Sequence, residues 1–480
     1  MKTQTVIYII SNAIYNLYFH PLATFPGPWY GAISNLFYIR TVIGGSAHHE
    51  LRKLHDEYGE VVRWAPNDVS FSAGAAWKDI YVPRRSGKVF LKDPTFYVAN
   101  QTSRPQHLVT TIDGVQHAQA KSILSQAFSR RALLEQEGTV VRYVDMLMDA
   151  ISEEGRKGPI DIKDFYNWVT FDILGELCFS ESFGSVQRRE ADGWVATVLS
   201  VDPFFGYDVA AYRFSPIFEA ILSLLVIFAP WQTGRNLRNH IGASKAKIMA
   251  RMKREPERKD FCSYIFEIRD KRKLSDTALV GYSNAMILAG SGTTSVTLSA
   301  LTHWICRNPR VYEKLKEEVR SSFHTADEIT SQSASLPYLT AVINEALRIF
   351  PPFPFVPPRM VPKSGETVAG VFIPGDTRVG VHMWSTTRNP KNFKNPDAFL
   401  PERWLDPHSG DDLNASQPFL LGPRACIGQN MAWMQLRILV AKIVFLFDFE
   451  LVDKEIDWGR DASPTVLWSA PKLMVKVVPK

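Results

Sequence analysis

The sequence predicts a mainly α-helical protein with small β-sheets, on three observations. Most long segments carry apolar residues at helix-length periodicity. Breaker clusters such as Tyr30-Gly31, Gly44-Gly45 and Gly365-Glu366 separate them. Extended patterning is confined to short stretches: Glu60 to Ser72, with Val61, Val62, Trp64 and Val69, then Thr367 to Val381 and the C-terminal Leu473 to Val478. A chain of 480 residues, 45% hydrophobic and 12% aromatic, can bury a large core. Its length alone would suit two or three domains, but no Gly/Ser/Pro-rich linker, low-complexity run or internal repeat divides it. One domain over 29–480 is the economical reading.

Charge and cysteine content narrow the class. The 55 basic and 49 acidic residues leave +6, spread widely, which speaks against a nucleic-acid partner while leaving room for a mildly basic face that docks an acidic protein. Cys178, Cys262, Cys306 and Cys426 lie far apart with no C-x-x-C spacing, against both a disulfide framework and a zinc cluster. A reducing compartment fits.

Along the chain, Thr5 to Phe19 is mostly apolar but interrupted by Asn12 and Asn16. A helix of that length rises about 22 Å against a hydrocarbon core of about 30 Å, so it is short for a span. It predicts a shallow anchor over 1–20, with a docked amphipathic helix as the alternative. His20-Pro21 through Gly27-Pro28 then forms a stiff Pro-rich hinge over 21–28, with no signal-type cleavage site before it. Asp113 to Lys121 opens a helix on which His117 and Lys121, four apart, share a face.

Asp276 to Arg307 is the longest predicted helix, and Ala289-Gly290-Ser291-Gly292-Thr293-Thr294 stands in its middle. Glycine and threonine there each cost roughly 0.5 to 1 kcal/mol. A threonine hydroxyl that bonds back one turn can open a groove for a small ligand; close helix packing on the glycines is the other account. Glu345 and Arg348 stand at i and i+3, close enough to pair, and Phe399-Leu400-Pro401-Glu402-Arg403-Trp404 follows some fifty residues on.

The most informative stretch is Phe419-Leu420-Leu421-Gly422-Pro423-Arg424-Ala425-Cys426-Ile427-Gly428. It sets one cysteine in a turn with glycine on either side and arginine two residues before. A thiolate on a metal needs its charge stabilised by backbone N–H groups, the metal and a nearby cation, and glycines let the backbone approach a flat ligand. A buried structural cysteine is the plainer alternative.

The pattern F-x-x-G-x-R-x-C-x-G is similar to the cysteine-ligand loop of the cytochrome P-450 family of haem-thiolate monooxygenases. The remaining motifs resemble that family in the right order: F-P-G-P hinge, basic helix, threonine-bearing central helix, E-x-x-R, P-E-R-W and cysteine loop. The resemblance implies the cytochrome P-450 fold, with haem b held between the long central helix and the helix after the cysteine loop. Cys426 would ligate iron, with Phe419 and Gly428 of its loop among the haem-binding residues. Thr293 matches the family threonine that helps deliver protons during oxygen activation. Here the chain departs from the pattern, because Gly292 stands where Asp or Glu is usual; Thr294, ordered water or the substrate would then help supply protons. Glu345, Arg348 and Arg403 would form the family's buried structural network. His117, Lys121, Arg359 and Arg424 would hold the haem propionates, with a helix-surface histidine as the alternative for His117.

Apolar substrate contacts are expected from Met286 and Ala289 of the central helix, from Phe355 and Val356, and from Phe96 and Tyr97. The apolar run Ile217 to Trp231 reads either as a membrane-facing entry element or as a core helix. With no flavin or nicotinamide motif in the chain, electrons are expected from an NADPH-cytochrome P-450 reductase. O2 and an apolar small molecule, of the kind found in fungal secondary metabolism, are the expected substrates. The expected location is the endoplasmic reticulum membrane, catalytic domain toward the cytosol. Two rivals remain: a haem-thiolate enzyme of desaturation, rearrangement or peroxide chemistry, and a non-catalytic haem-binding protein.

Overall fold

The computed structural model describes residues 2–84, 87–97, 108–195, 209–214, 242–243, 245–254, 259–272, 274–354, 357–464 and 468–480. Helices dominate. The predicted central helix spans Asp276–Arg307 without interruption, its start capped by Ser275 Oγ accepting from the Ala278 N–H at 3.2 Å. It packs along Ile162–Phe179 and touches Pro309–Ser322, Pro337–Ile349 and Gln429–Leu446. A helix surrounded in this way must satisfy its own polar groups. Ser283, Ser291, Thr297 and Ser299 do so by donating to carbonyls one turn back, at 2.7 to 2.9 Å.

The first sheet has five strands in the order Val61–Ala65, Asp68–Phe71, Arg378–Val381, Arg359–Met360, Leu91–Lys92. Asp68–Phe71 runs parallel to Arg378–Val381, and the two-residue strands at its edge pair Lys92 with Arg359. A second sheet joins Ile160–Asp161, Met474–Pro479 and Phe447–Leu451. The three extended stretches read from the sequence are all strands. The strands of two residues, and Phe447–Leu451 directly behind a helix, are additions that alternation does not reveal.

The N-terminal segment is a helix over Lys2–Ile14 that passes into a π-helical turn over Tyr15–Phe19. Among the described residues, no helix is long and apolar enough to cross a membrane. Asn16, an interruption in the apolar pattern, is the docking point: its Nδ2 donates to Ile33 O at 3.3 Å, and Arg63 donates to Asn16 O at 2.9 Å and Leu22 O at 3.2 Å. The Pro-rich segment lies against the sheet rather than free of it. Arg63 N donates to Pro26 O at 2.7 Å, and a Cβ on Gly27 would sit 2.0 Å from Arg63 O.

Candidate active site

The cysteine loop is built by backbone bonding. Cys426 N donates to Phe419 O at 2.8 Å and Ala425 N to Gly422 O at 3.0 Å. Gly422 has φ +73°, and a Cβ there would stand 2.3 Å from Tyr81 O, so the turn admits only glycine. The chain then enters helix Gln429–Leu446, whose first N–H groups, those of Gly428 and Gln429, point at the Cys426 sulfur. The Cys426 side chain is solvent-reachable, yet protein crowds it on most sides. A group that is both reachable and desolvated faces a cleft. Burial raises its pKa, only partly countered by the Gly428 N–H, the Lys121 charge and the Gln429 N–H. Full ionisation therefore calls for a stronger positive charge than the protein offers, which a bound iron would provide.

Lys121, expected at a propionate, bonds elsewhere. Its Nζ donates to Pro423 O at 2.7 Å and Ala425 O at 3.3 Å, tying helix Gly114–Leu124 to the cysteine loop. Asp113 caps that helix start, accepting from Gln116 N at 2.8 Å.

The central helix opens to solvent in its middle. Ala289 is exposed, Gly290 and Thr293 are part-exposed, and Thr293 Oγ1 donates to Ala289 O at 2.8 Å. Thr294 is buried and bonds to Gly290 O at 3.3 Å, while Gly292 is buried too. Met286, expected at the substrate, belongs to the core; the periodicity shows an apolar face without showing which neighbour it meets. Phe355, Val356 and the run Ile217 to Trp231 lie outside the described residues.

Four basic groups converge beside the loop. Lys92, His117 and Arg359 are buried; Lys92 Nζ donates to Leu108 O at 3.3 Å and to Val109 O, and Arg424 donates to Thr111 O at 2.8 Å and to Ile112 O, so both, like Lys121, hold backbone carbonyls in this structure. They disturb one another. Burial, then Arg424 and Arg359, bring Lys92 down to about 6; burial, then Arg424, Lys92, Lys121 and Arg359, bring His117 to about 3. Arg424 falls to about 10 through burial and Arg359. Arg359 Nη1 is buried with no hydrogen-bond partner. Such a cluster fits a dianionic ligand edge, as two propionates would supply. His117 is 6% exposed, so it is no helix-surface residue. Tyr97 lies at this cluster, the Lys92 ammonium 4.7 Å from its ring centroid. Phe96, expected at the oxidised substrate, packs instead with Tyr38, Val42 and Leu51. Lys92 was not among the residues expected from sequence. Its signal is tertiary: a two-residue strand pairing sets it opposite Arg359.

Behind the loop, Glu345 and Arg348 have no exposed side-chain surface. Arg348 Nε and Nη2 each donate to Glu345 at 2.8 Å, in fork geometry. Arg403 Nε joins at 3.2 Å, Trp404 Nε1 at 2.9 Å and Leu400 N at 2.9 Å. Arg348 also holds the carbonyls of Thr387, Pro396 and Ala398. The three residues expected as a network are thus in direct contact, buried, and bound to the chain that leads into the cysteine loop.

The family model for cytochrome P-450 matches residues 25–477. The chain belongs to that family. It is 36% identical over 476 residues to the cytochrome P-450 monooxygenase astJ of Aspergillus oryzae, covering 97% of this chain and 94% of the relative. It is 34% identical over 504 residues to the monooxygenase aba2 of Botryotinia fuckeliana, covering 100% and 96%. Averantin hydroxylase of Dothistroma septosporum is 35% identical over 487 residues, covering 99% and 90%. This cytochrome P-450 is accordingly an oxygen-incorporating oxidoreductase with a haem-thiolate cofactor, and the expected fold class holds.

Proposed function

We propose that this cytochrome P-450 hydroxylates an apolar secondary metabolite at the open middle of its central helix. The single observation that carries the reading is an exposed Cys426 whose sulfur receives the Gly428 and Gln429 N–H groups at a helix start, in a chain of the cytochrome P-450 family. Haem held at Cys426 would supply the reductive activation of dioxygen. Cys426 would ligate its iron, with the Gly428 and Gln429 N–H groups and Lys121 placed to stabilise the thiolate. Arg359, Arg424, Lys92 and His117 hold the propionates. Thr293, whose hydroxyl donates to Ala289 O, accepts and passes on a proton at Oγ1 without leaving its helix. Ala289 lets the substrate approach closely, since a methyl group is all that stands there.

Electrons come from an NADPH-dependent flavoprotein reductase. The protein sits on the endoplasmic reticulum membrane through Val6, Ile7, Tyr8, Ile9 and Ile10, exposed apolar side chains of the N-terminal helix, with Trp29 and Tyr30 beside it. Averantin, named for one relative, is the first compound to try. Turnover with that reductase under isotopically labelled O2 tests the reading: one labelled oxygen in the product is expected, and turnover without label would overturn it.

Gly292 favours a second reading, desaturation or rearrangement with less demand for protons. Its position is buried beside Thr293, so Gly292→Asp places a carboxyl next to that hydroxyl. Better coupling of NADPH use to product is expected in the variant if hydroxylation is the reaction. Identical coupling in both forms would favour the second reading.

A further inference from the structure

Leu420 stands in the cysteine loop with φ +62°, a backbone that a leucine adopts only at a cost. Among the described residues, the other non-glycine positions with positive φ have a local reason for it. Ser180 and Arg189 close helices, Ala369 precedes Gly370 at a hairpin tip, and Asp376 and Asn395 are of types that tolerate it. Leu420 has no such reason, so its surroundings must hold it there.

Both polar groups of the peptide before Leu420 are in use. Leu420 N donates to Gln417 O at 3.0 Å, closing a turn led by Pro418, and Phe419 O accepts from Cys426 N at 2.8 Å. The direction of that planar peptide relative to the Leu420 side chain is set by φ alone. The side chain is seated: with Leu421 it packs against an apolar cluster that includes Phe71, Trp77, Ile80 and Tyr81. Helix Ala76–Tyr81 of that cluster also holds the chain upstream and downstream of Leu420. Trp77 Nε1 donates to Ala415 O at 2.9 Å, and Tyr81 O leaves no room for a Cβ at Gly422. With the side chain seated and its flanks held, a negative φ at Leu420 would swing Phe419 O away from the Cys426 N–H.

We propose that Leu420 is a positioning residue for the iron ligand: its left-handed backbone aims Phe419 O at the Cys426 N–H, and its side chain, seated on helix Ala76–Tyr81, keeps that backbone from relaxing. The bond so formed closes the loop of residues 419–426 and sets where the sulfur stands before the Gly428 and Gln429 N–H groups. The inference rests on Cys426 as the ligand. Hydrogen exchange at the Cys426 amide, by contrast, reads the loop bond whichever group holds the iron.

Three variants of the holoenzyme separate backbone from packing, read by amide hydrogen exchange at Cys426 with peptide fragmentation and by the reduced carbon monoxide spectrum. Leu420→Ile keeps the apolar atoms but branches at Cβ, which opposes positive φ. Exchange at Cys426 should speed up about five-fold or more, the worth of one left-handed residue, and part of the thiolate-type band should be lost. Leu420→Gly loses the seated side chain but takes positive φ freely, and Leu420→Met stays apolar and unbranched at Cβ; both should match wild type in exchange and band. Packing alone predicts the reverse order, with glycine worst and isoleucine mild. That reverse order, loss of haem from Leu420→Gly, faster exchange in Leu420→Met, or wild-type exchange in Leu420→Ile would overturn the proposal. If Leu420→Ile holds no haem, Leu420→Gly decides: wild-type exchange and band support the proposal, and faster exchange overturns it. A wild type lacking the thiolate-type band would refute Cys426 as the ligand and leave the amide comparison to decide the loop bond.

Discussion

Replacing Glu345 by alanine should destabilise the protein severely, and the size of the loss follows from the contacts. Five donors converge on this one carboxylate: Arg348 Nε and Nη2, Arg403 Nε, Trp404 Nε1 and Leu400 N. Glu345→Ala leaves two buried guanidinium groups with their principal acceptor gone. Breaking a buried pair from one side costs about 3–5 kcal/mol. Two features pull the figure toward the lower end: Arg403 keeps an ion pair with Asp411, and Arg348 keeps three carbonyls. We therefore expect about 3 kcal/mol, a large share of the roughly 5–15 kcal/mol by which domains are stable. Arg403→Lys should cost about 1 kcal/mol, because lysine can serve one carboxylate but not both. Urea unfolding followed by the haem band and by far-ultraviolet dichroism measures both. Because the network holds the chain before the cysteine loop, haem loss should precede loss of helix in Glu345→Ala. A midpoint within error of wild type, with haem retained, would refute the account of the network as a lock.

Three further outcomes are expected. Cys426→Ala should abolish the thiolate-type band of the reduced carbon monoxide complex, and an unaltered band would remove Cys426 from the iron. Lys92→Met removes a buried amine that donates to Leu108 O and Val109 O and has no carboxylate partner among the described residues, so the apoprotein should change little in stability while haem transfer to an apo-acceptor protein speeds up about ten- to hundred-fold, the worth of one charge-assisted bond; unchanged transfer would detach Lys92 from the cofactor. His303 is fully buried with both ring nitrogens unpartnered, and burial brings its pKa from 6.5 to about 4. Because the fold disfavours the charged ring, its stabilising contribution is whole above pH 6.5 and is lost as pH falls toward 4, by about 3 kcal/mol. His303→Phe should therefore flatten stability over that window, and a pH profile identical to wild type would contradict this.

The residues legible from sequence are those whose partners are fixed locally. The cysteine loop is one: its turn, its glycine and the following helix start lie within a dozen residues, so the pattern carries most of its own geometry. Glu345 with Arg348 is legible as a pair for the same reason, though only Phe399 to Trp404 turns an ordinary helix spacing into a buried network. What depends on distant pairing was hidden. Lys92 joins the cations because Leu91–Lys92 pairs with Arg359–Met360, and a strand of two residues leaves no periodic trace. Met286 and Ala289 look alike as apolar positions of one helix, yet one is core and the other is exposed, because the choice depends on where Ile162–Phe179 packs. Lys121 misled in another way: its helix face was read rightly, but a long flexible side chain at the loop's edge finds backbone carbonyls within reach.

The electrostatics of the site argue for one ligand more strongly than any motif does. Cys426 is pushed away from ionisation by burial, so it lacks positive charge. Lys92, His117 and Arg424 are pushed toward neutrality by burial and by one another, so they lack negative charge. Ions of one sign cannot relieve both. An anion among the cations would leave the thiol as it is, and a bare metal at the thiol would add to the positive excess nearby. A ligand with a cationic centre and an anionic rim meets both demands at once, and its flatness suits the Cys426 loop, where Gly428 puts no side chain beside the sulfur. The misfit of each group, taken alone, looks like a flaw in the fold; taken together they describe the charge distribution of an iron porphyrin with two propionates.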